Sequence, residues 1–139
     1  MAGRAALSPL LLDTHAWVWW LTRPERLSRR QRGAVERARR ASGEHLLVSI
    51  ISCWEVALLA RRGRLRFTIP IDTWLAQATS VPGLEVVPLS LSVISTAVRL
   101  DQLRDPADQL IVATALDRGA RLVTSDVRVA EADAVRVVA

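Results

Sequence analysis

The chain has 139 residues, half of them hydrophobic, with 19 basic against 14 acidic side chains and a formal net charge of +5. That length accommodates one domain with a sizeable core and leaves little room for a second, so a single domain over residues 1–139 is expected, its core spanning about 10–138. The longest clean apolar stretch, residues 16–21, is about a third of a membrane span. Cys53 has no second cysteine to pair with, and no glycine-rich nucleotide fingerprint occurs. A membrane protein, a disulfide scaffold and a P-loop or dinucleotide fold are therefore excluded, and a reducing cytoplasm is the expected compartment.

Residues 1–12 faintly imitate a signal peptide, but Ser8-Pro9 interrupts the apolar run and Asp13 closes it without a cleavage-like sequence, so secretion is not expected. Leu10-Leu11-Leu12 reads as a buried parallel strand ending on Asp13. A helix follows at once, with Trp17, Trp20 and Leu21 on one face. Ser28 and Gln31 form a capping box for a second helix through Ala34, Val35 and Ala38, which Gly43 ends. Residues 46–50 are the next strand. Ser52 with Glu55 makes another capping box, opening a helix that carries Val56, Leu58 and Leu59 and stops at Gly63.

After an ambiguous stretch at 65–69, residues 70–78 are predicted helical, 84–87 form a strand, and 89–103 repeat apolar residues at helical spacing up to a turn at Asp105-Pro106. Residues 107–118 form a helix with Leu110, Ile111, Ala113 and Leu116 inward and Gly119 as terminator. A strand over 121–125 ends at Asp126, and a short helix near Val129 and a strand at 135–138 complete the chain. Strands alternating with helices predict an α/β fold whose mainly parallel sheet is covered on both faces.

Ligands of such folds bind beyond the carboxyl ends of the strands. Asp13 and Asp126 terminate two strands, while Glu55 and Asp108 lie in the first turns of two helices running back from the same edge. Four carboxylates can thus converge there, and they repel one another unless a cation joins them. An all-oxygen donor set suits magnesium or manganese, and one or two such ions activate water for attack on phosphorus. His15 and His45 are the only histidines, neither in a triad-like setting, so no protein nucleophile is expected. Thr14, Thr124 and Ser125 flank the acids and are candidates to orient water beside the ion.

Each acid also has a purely structural reading. Glu55 is the partner in a capping box, Asp108 favours a helix N-terminus, and Asp126 can cap the helix after it. Asp13 resists such a reading, because a charge directly after three leucines needs a partner. Asp105 reads first as a turn former. Trp17, Trp20, Trp54 and Trp74 read as core, with Trp19 off that face. All basic residues are arginine, which suits bidentate phosphate contacts, and they cluster at 23–40 and at Arg61, Arg62, Arg64 and Arg66. That pattern fits an anionic partner such as nucleic acid, although solvated helix faces produce it too.

Four blocks carry a family resemblance: Leu10-Leu11-Leu12-Asp13-Thr14-His15-Ala16, Ser49-Ile50-Ile51-Ser52-Cys53-Trp54-Glu55, Asp105-Pro106-Ala107-Asp108-Gln109-Leu110-Ile111-Val112-Ala113 and Leu122-Val123-Thr124-Ser125-Asp126. In this order they resemble the PIN-domain family, and more narrowly the VapC toxins of bacterial type II toxin–antitoxin modules. The resemblance implies a PIN-like three-layer α/β/α fold with a parallel five-stranded sheet. It also implies a magnesium- or manganese-dependent endoribonuclease, commonly a homodimer, neutralised by a VapB-like antitoxin. Asp13, Glu55, Asp108 and Asp126 fall on the family's acidic positions, with Asp13 and Asp108 as foremost metal ligands, and Thr124 on its frequent hydroxyl. Gln109 departs from the arginine common after the third acid. Arg61, Arg62 and Arg64 match the family's basic helix end, which implies RNA phosphate contacts there.

Other classes fit part of the pattern. A non-catalytic PIN-like module would hold RNA or a protein with its arginines but has no need of four acids, and a housekeeping RNA-processing nuclease would share the chemistry without the antitoxin. A phosphoacceptor domain is disfavoured because the chain has no lysine.

Overall fold

The computed structural model describes residues 8–41 and 45–139. The signal-like start of the chain falls mostly outside them, and so does Gly43, the expected end of the second helix.

Leu10, Leu11 and Leu12 form β1 (Leu10–Leu12) and are fully buried, as a strand covered on both faces requires. It pairs in parallel with β2 (Leu46–Ser49) on one side and with β4 (Arg121–Val123) on the other. Two edge strands, β3 (Leu84–Val87) and β5 (Val137–Val138), complete a five-stranded sheet of order β3-β2-β1-β4-β5, parallel throughout. The chain winds outward from β1 through β2 to β3, then returns to the other side for β4 and β5. The winding therefore reverses between β1 and β4, and the crevice beyond their carboxyl ends is where such sheets bind ligands.

Helices cover both faces. Leu10, Leu12, Leu46, Val48 and Val123 pack with Trp17 of α1 (Thr14–Thr22), Val35 of α2 (Arg29–Arg40), Val56 of α3 (Ile50–Arg61) and Trp74 of α4 (Ile71–Ala78). Leu11, Leu47, Val87 and Leu122 pack on the opposite face with Val93 of α5 (Leu91–Ala97), Ile111 and Val112 of α6 (Pro106–Arg118) and Val129 of α7 (Val127–Ala132). The alternation of Leu10 and Leu12 against Leu11 is the period of two of a strand. Among the described residues no helix is long and apolar enough to cross a membrane.

The capping box of α2 forms as expected: Ser28 Oγ accepts from Gln31 N–H at 3.0 Å, and Gln31 Oε1 accepts from Ser28 N–H at 3.0 Å. Gly119 ends α6 in the left-handed region at φ 61°. Elsewhere the structure corrects the expected boundaries. Helix α3 starts at Ile50, not Ser52, because Ser49 is its N-cap and accepts from Ile51 N–H at 3.1 Å. Ile50 and Ile51 extend an apolar run that does not distinguish strand from helix by period alone.

The helical spacing over 89–103 yields only α5; Leu100 and Leu103 are buried by turns instead. Gln109 holds those turns, its Nε2 donating to the carbonyls of Leu100 at 3.2 Å and Leu103 at 2.7 Å. Leu116, expected inward, is exposed, while Val112 and Ala115 take the core positions of α6. Trp54, expected in the core, is 56% exposed, whereas Trp17 and Trp74 are buried edge to face with ring centroids 5.3 Å apart. The last two strands are shorter than expected, which leaves Thr124 and Ser125 in the loop beyond β4.

Candidate active site

Asp13 leaves β1 and immediately becomes the N-cap of α1, its carboxylate accepting the Ala16 N–H at 2.8 Å. The partner demanded by a charge after three buried leucines is thus partly the helix start itself, a structural role not foreseen for this acid. Asp126 is likewise an N-cap, of α7, but is separated from the end of β4 by Thr124 and Ser125. It accepts the Arg128 N–H at 2.9 Å and pairs with the Arg128 guanidinium at 3.0 Å. Asp108 lies in the first turn of α6, capped by Asp105, which accepts from the N–H groups of Ala107 at 2.8 Å and Asp108 at 3.3 Å. Asp105 is therefore an N-cap rather than a simple turn former, with Pro106 at the first helical position where its missing N–H is harmless.

Glu55 differs from its expected setting. With α3 starting at Ile50, it lies in the second turn and caps nothing; the Ser52 box does not form. Its carboxylate instead accepts a hydrogen bond from the Thr14 hydroxyl, and Thr14 Oγ1 lies 2.9 Å from the buried Ser52 Oγ. Glu55 is thereby freed from the structural role that competed with a place in the site.

All four acids, with Asp105, line one cleft of about 400 Å³ at the carboxyl edge of the sheet. Thr14, His15, Trp19, Ile111, Ser125 and Arg128 complete its walls. Burial pushes Asp108 up to about 6, repulsion from Asp105, Asp126 and Glu55 adds to the rise, and Arg128 opposes it. Burial likewise raises Glu55 against the Thr14 hydrogen bond, with Asp105 and Asp13 adding repulsion. It raises Asp13 against hydrogen bonds from Thr124 and Ala16. Among the four, only Asp126 is held below the usual carboxylate range, by the Arg128 guanidinium.

The cleft thus holds more negative charge than its surroundings neutralise, which is what a bound cation would correct. Among the described residues no three His, Cys, Asp or Glu side chains stand close enough to hold one ion as placed. Asp13 and Asp126 are engaged at their own helix starts, and Glu55 by Thr14. The donor set remains all oxygen and fits a hard divalent ion that keeps several waters.

The buried Thr124 braces the loop after β4, its hydroxyl accepting the Asp126 N–H at 3.1 Å. Ser125 sits exposed on the rim. Gln31, singled out in the sequence only as a cap, is 1% exposed and reaches the site loop. Its Nε2 donates to Thr124 O at 3.3 Å, Ser125 Oγ at 3.3 Å and Val138 O at 3.1 Å. Arg61, Arg62 and Arg64 lie outside the acidic cleft: Arg62 and Arg64 line a neighbouring groove with Trp54, and Arg61 another beside Ala57. Sequence reasoning passed over Arg128, although it follows Asp126 by two, the spacing of a capping contact, and was in principle legible; Trp19 was set off the core face by its helical position but not assigned to the cleft it lines.

A family model described as the PIN domain matches residues 10–135. Ribonuclease VapC22 of Mycobacterium tuberculosis is 40% identical over 124 residues, covering 88% of this chain and 90% of its own length. DNA-bound VapBC from Salmonella typhimurium superposes with a TM-score of 0.69 at 17% identity, over 94% of this chain and 97% of that one. VapBC2 from Rickettsia felis, bound to a promoter DNA fragment, gives 0.66 at 15% identity, over 93% and 96%. At such identities these two structures bear on the fold alone.

Proposed function

The chain belongs to the PIN-domain family, and on that premise we propose that it is a VapC-type ribonuclease toxin that hydrolyses RNA in the acidic cleft. The observation that carries this reading is the convergence of Asp13, Glu55, Asp108 and Asp126, from four different elements, on one cleft beside the β1–β4 reversal. A structural role accounts for Asp13 and Asp126 as caps, but not for Glu55, nor for keeping Asp108 where burial and repulsion raise it.

Asp13 and Asp108 are the proposed principal ligands of a magnesium or manganese ion, with Glu55 and Asp126 completing the set. When bound, such an ion supplies Lewis acidity that strengthens water as a nucleophile and neutralises charge developing on the phosphate and leaving oxygens. The chain's own residues do the rest. Thr14 fixes the Glu55 carboxylate, Thr124 holds the Asp126 backbone in the loop after β4, and Ile111 presents an apolar wall beside the acids. Arg128 steadies Asp126 and offers a guanidinium at the mouth, where a substrate phosphate can replace part of that pairing.

The reading includes a VapB-like antitoxin as partner, RNA as substrate and the cytoplasm as the place of action, in line with the 40% identity to Ribonuclease VapC22. The exposed Leu91 and Ile94 of α5, with Val98 at its C-cap, support self-association as a homodimer. The test is cleavage of labelled RNA by purified protein free of antitoxin. Cleavage is expected with magnesium or manganese, and its loss in EDTA and in Asp13→Asn and Asp108→Asn. No cleavage under any divalent ion overturns the proposal.

A further inference from the structure

We propose that single-stranded RNA reaches the acidic cleft over Trp19, one base stacking on the indole while Arg23, Arg26, Arg64 and Arg66 hold the phosphates beside it. The inference rests on the nuclease reading of that cleft and adds where its substrate gains affinity.

A cleft walled by five acids repels a phosphodiester until cations join it, so it is a poor source of binding energy for RNA. The attraction has to come from adjoining surface. Trp19 lines the acidic cleft on one side and, on the other, a second groove formed by Arg23, Arg26, Arg64, Arg66 and Phe67. No acid lines this second groove. Its four arginines are all exposed, and among the described residues none of them makes a salt bridge. Four uncompensated guanidinium groups around one groove repel one another and are relieved by a polyanion.

Trp19 is built as the divider between the two. It is half-buried on α1, with the His15 ring 5.6 Å away on the same helix and the Arg26 guanidinium 5.6 Å from its centroid. In the free protein Arg26 occupies the indole by a cation–π contact. A base taking that place releases the guanidinium to a neighbouring phosphate, so one weak contact is exchanged for a stack and a charge-assisted hydrogen bond. An aromatic platform with unpaired arginines is the usual composition of a single-strand path, and it leads here directly to the acids. An acidic peptide would satisfy the arginines but gain little from the indole and has no reason to continue into a cleft of carboxylates.

The experiment is fluorescence anisotropy of a labelled single-stranded oligouridine with the full-length protein in EDTA, which separates binding from cleavage. Trp19→Ala is expected to weaken binding about tenfold, the lower part of the range for loss of one stack, and Trp19→Phe to retain most of the affinity. The double variant Arg26→Ala/Arg66→Ala is expected to flatten the dependence of log K on log salt by about 0.7 for each phosphate that an arginine no longer neutralises. Circular dichroism melting checks that the variants are folded. Variants that are folded and bind RNA with wild-type affinity and salt slope overturn the inference, as does a groove that takes oligoglutamate in an arginine-dependent way but not RNA. Wild-type protein that binds RNA through these residues yet never cleaves it under divalent ions would instead count against the nuclease reading and leave the path standing.

Discussion

Leu12 and Asp13 are neighbours in the chain and opposite in character, and the regions they open differ in the same way. Below the sheet edge, leucines of β1, β2 and β4 are fully buried and stabilise the fold by removing apolar surface from water. Above it, carboxylates sit in a cleft that raises three of the four selected acids and carries Asp108 up to about 6. The core lowers the free energy of the folded state, whereas the cleft raises it. Side chains held at such a cost are there for something other than folding, so truncation in the two regions should move stability in opposite directions.

The largest effect is expected in the cleft. Asp108→Asn removes charge without changing shape, and cleavage of RNA should fall by about a thousandfold or more, since several kcal/mol of charge stabilisation depend on the ion it helps hold. The metal-free variant should melt no lower than wild type, and higher if repulsion among Asp108, Asp105 and Glu55 is relieved. Asp13→Asn should lose cleavage similarly while keeping the α1 start, because asparagine is as good an N-cap as aspartate. In the core, Leu11→Ala should cost about 2–5 kcal/mol of stability and leave turnover per folded molecule near wild type. Chemical denaturation alongside cleavage assays checks both. A large loss of stability in Asp108→Asn would erase the distinction between the regions.

The core was the more legible of the two. Leu10, Leu11 and Leu12, a short apolar run bounded by Pro9 and Asp13, announced a central strand, and the acids were visible because each broke such a pattern. What escaped was set by contacts far along the chain. Ser49 and Ser52 are both serines at the start of an apolar run, and nothing local says which one caps α3; the choice decides whether Glu55 is a cap or a free carboxylate. Gln31 reaches Thr124 across 93 residues of sequence, and Trp19 acquires its place only because the chain after α3 brings Arg64 and Arg66 beside it. Leu116 failed for another reason: α6 is buried broadly enough that its helical period assigns the inward face poorly.

Gln31 joins the two regions and should show an intermediate effect. Its Oε1 caps α2 and its Nε2 holds the β4–α7 loop that carries Thr124 and Asp126. Gln31→Ala should destabilise by about 1–3 kcal/mol, since it strands buried carbonyls and removes a cap. Gln31→Glu keeps the acceptor for Ser28 N–H but loses the donor, and brings a further charge toward the site loop. If the loop contacts matter to the site, the glutamate variant should lose cleavage out of proportion to its loss of stability. Equal losses in both variants would confine Gln31 to the core.

The smallest expected effect is the dependence of stability on pH without metal. Asp108 has its folded pKa raised from 3.8 to about 6, so between those values the folded protein binds a proton that the unfolded chain has released. Stability from this group therefore falls as pH rises through that window and levels off above about 6. Asp13 and Glu55 are raised as well and act in the same direction. Asp126 and Glu36 are lowered, so their contribution is present above their ordinary range and is lost only as pH falls below it. Melting in EDTA should thus be higher near pH 5 than near pH 7, and Asp108→Asn should flatten the difference. Saturating magnesium should flatten or reverse it too, because the ion binds the carboxylate form and competes with the proton. A slope that survives both the variant and the metal would place its origin outside the cleft, and the contrast between cleft and core would then rest on the mutants alone.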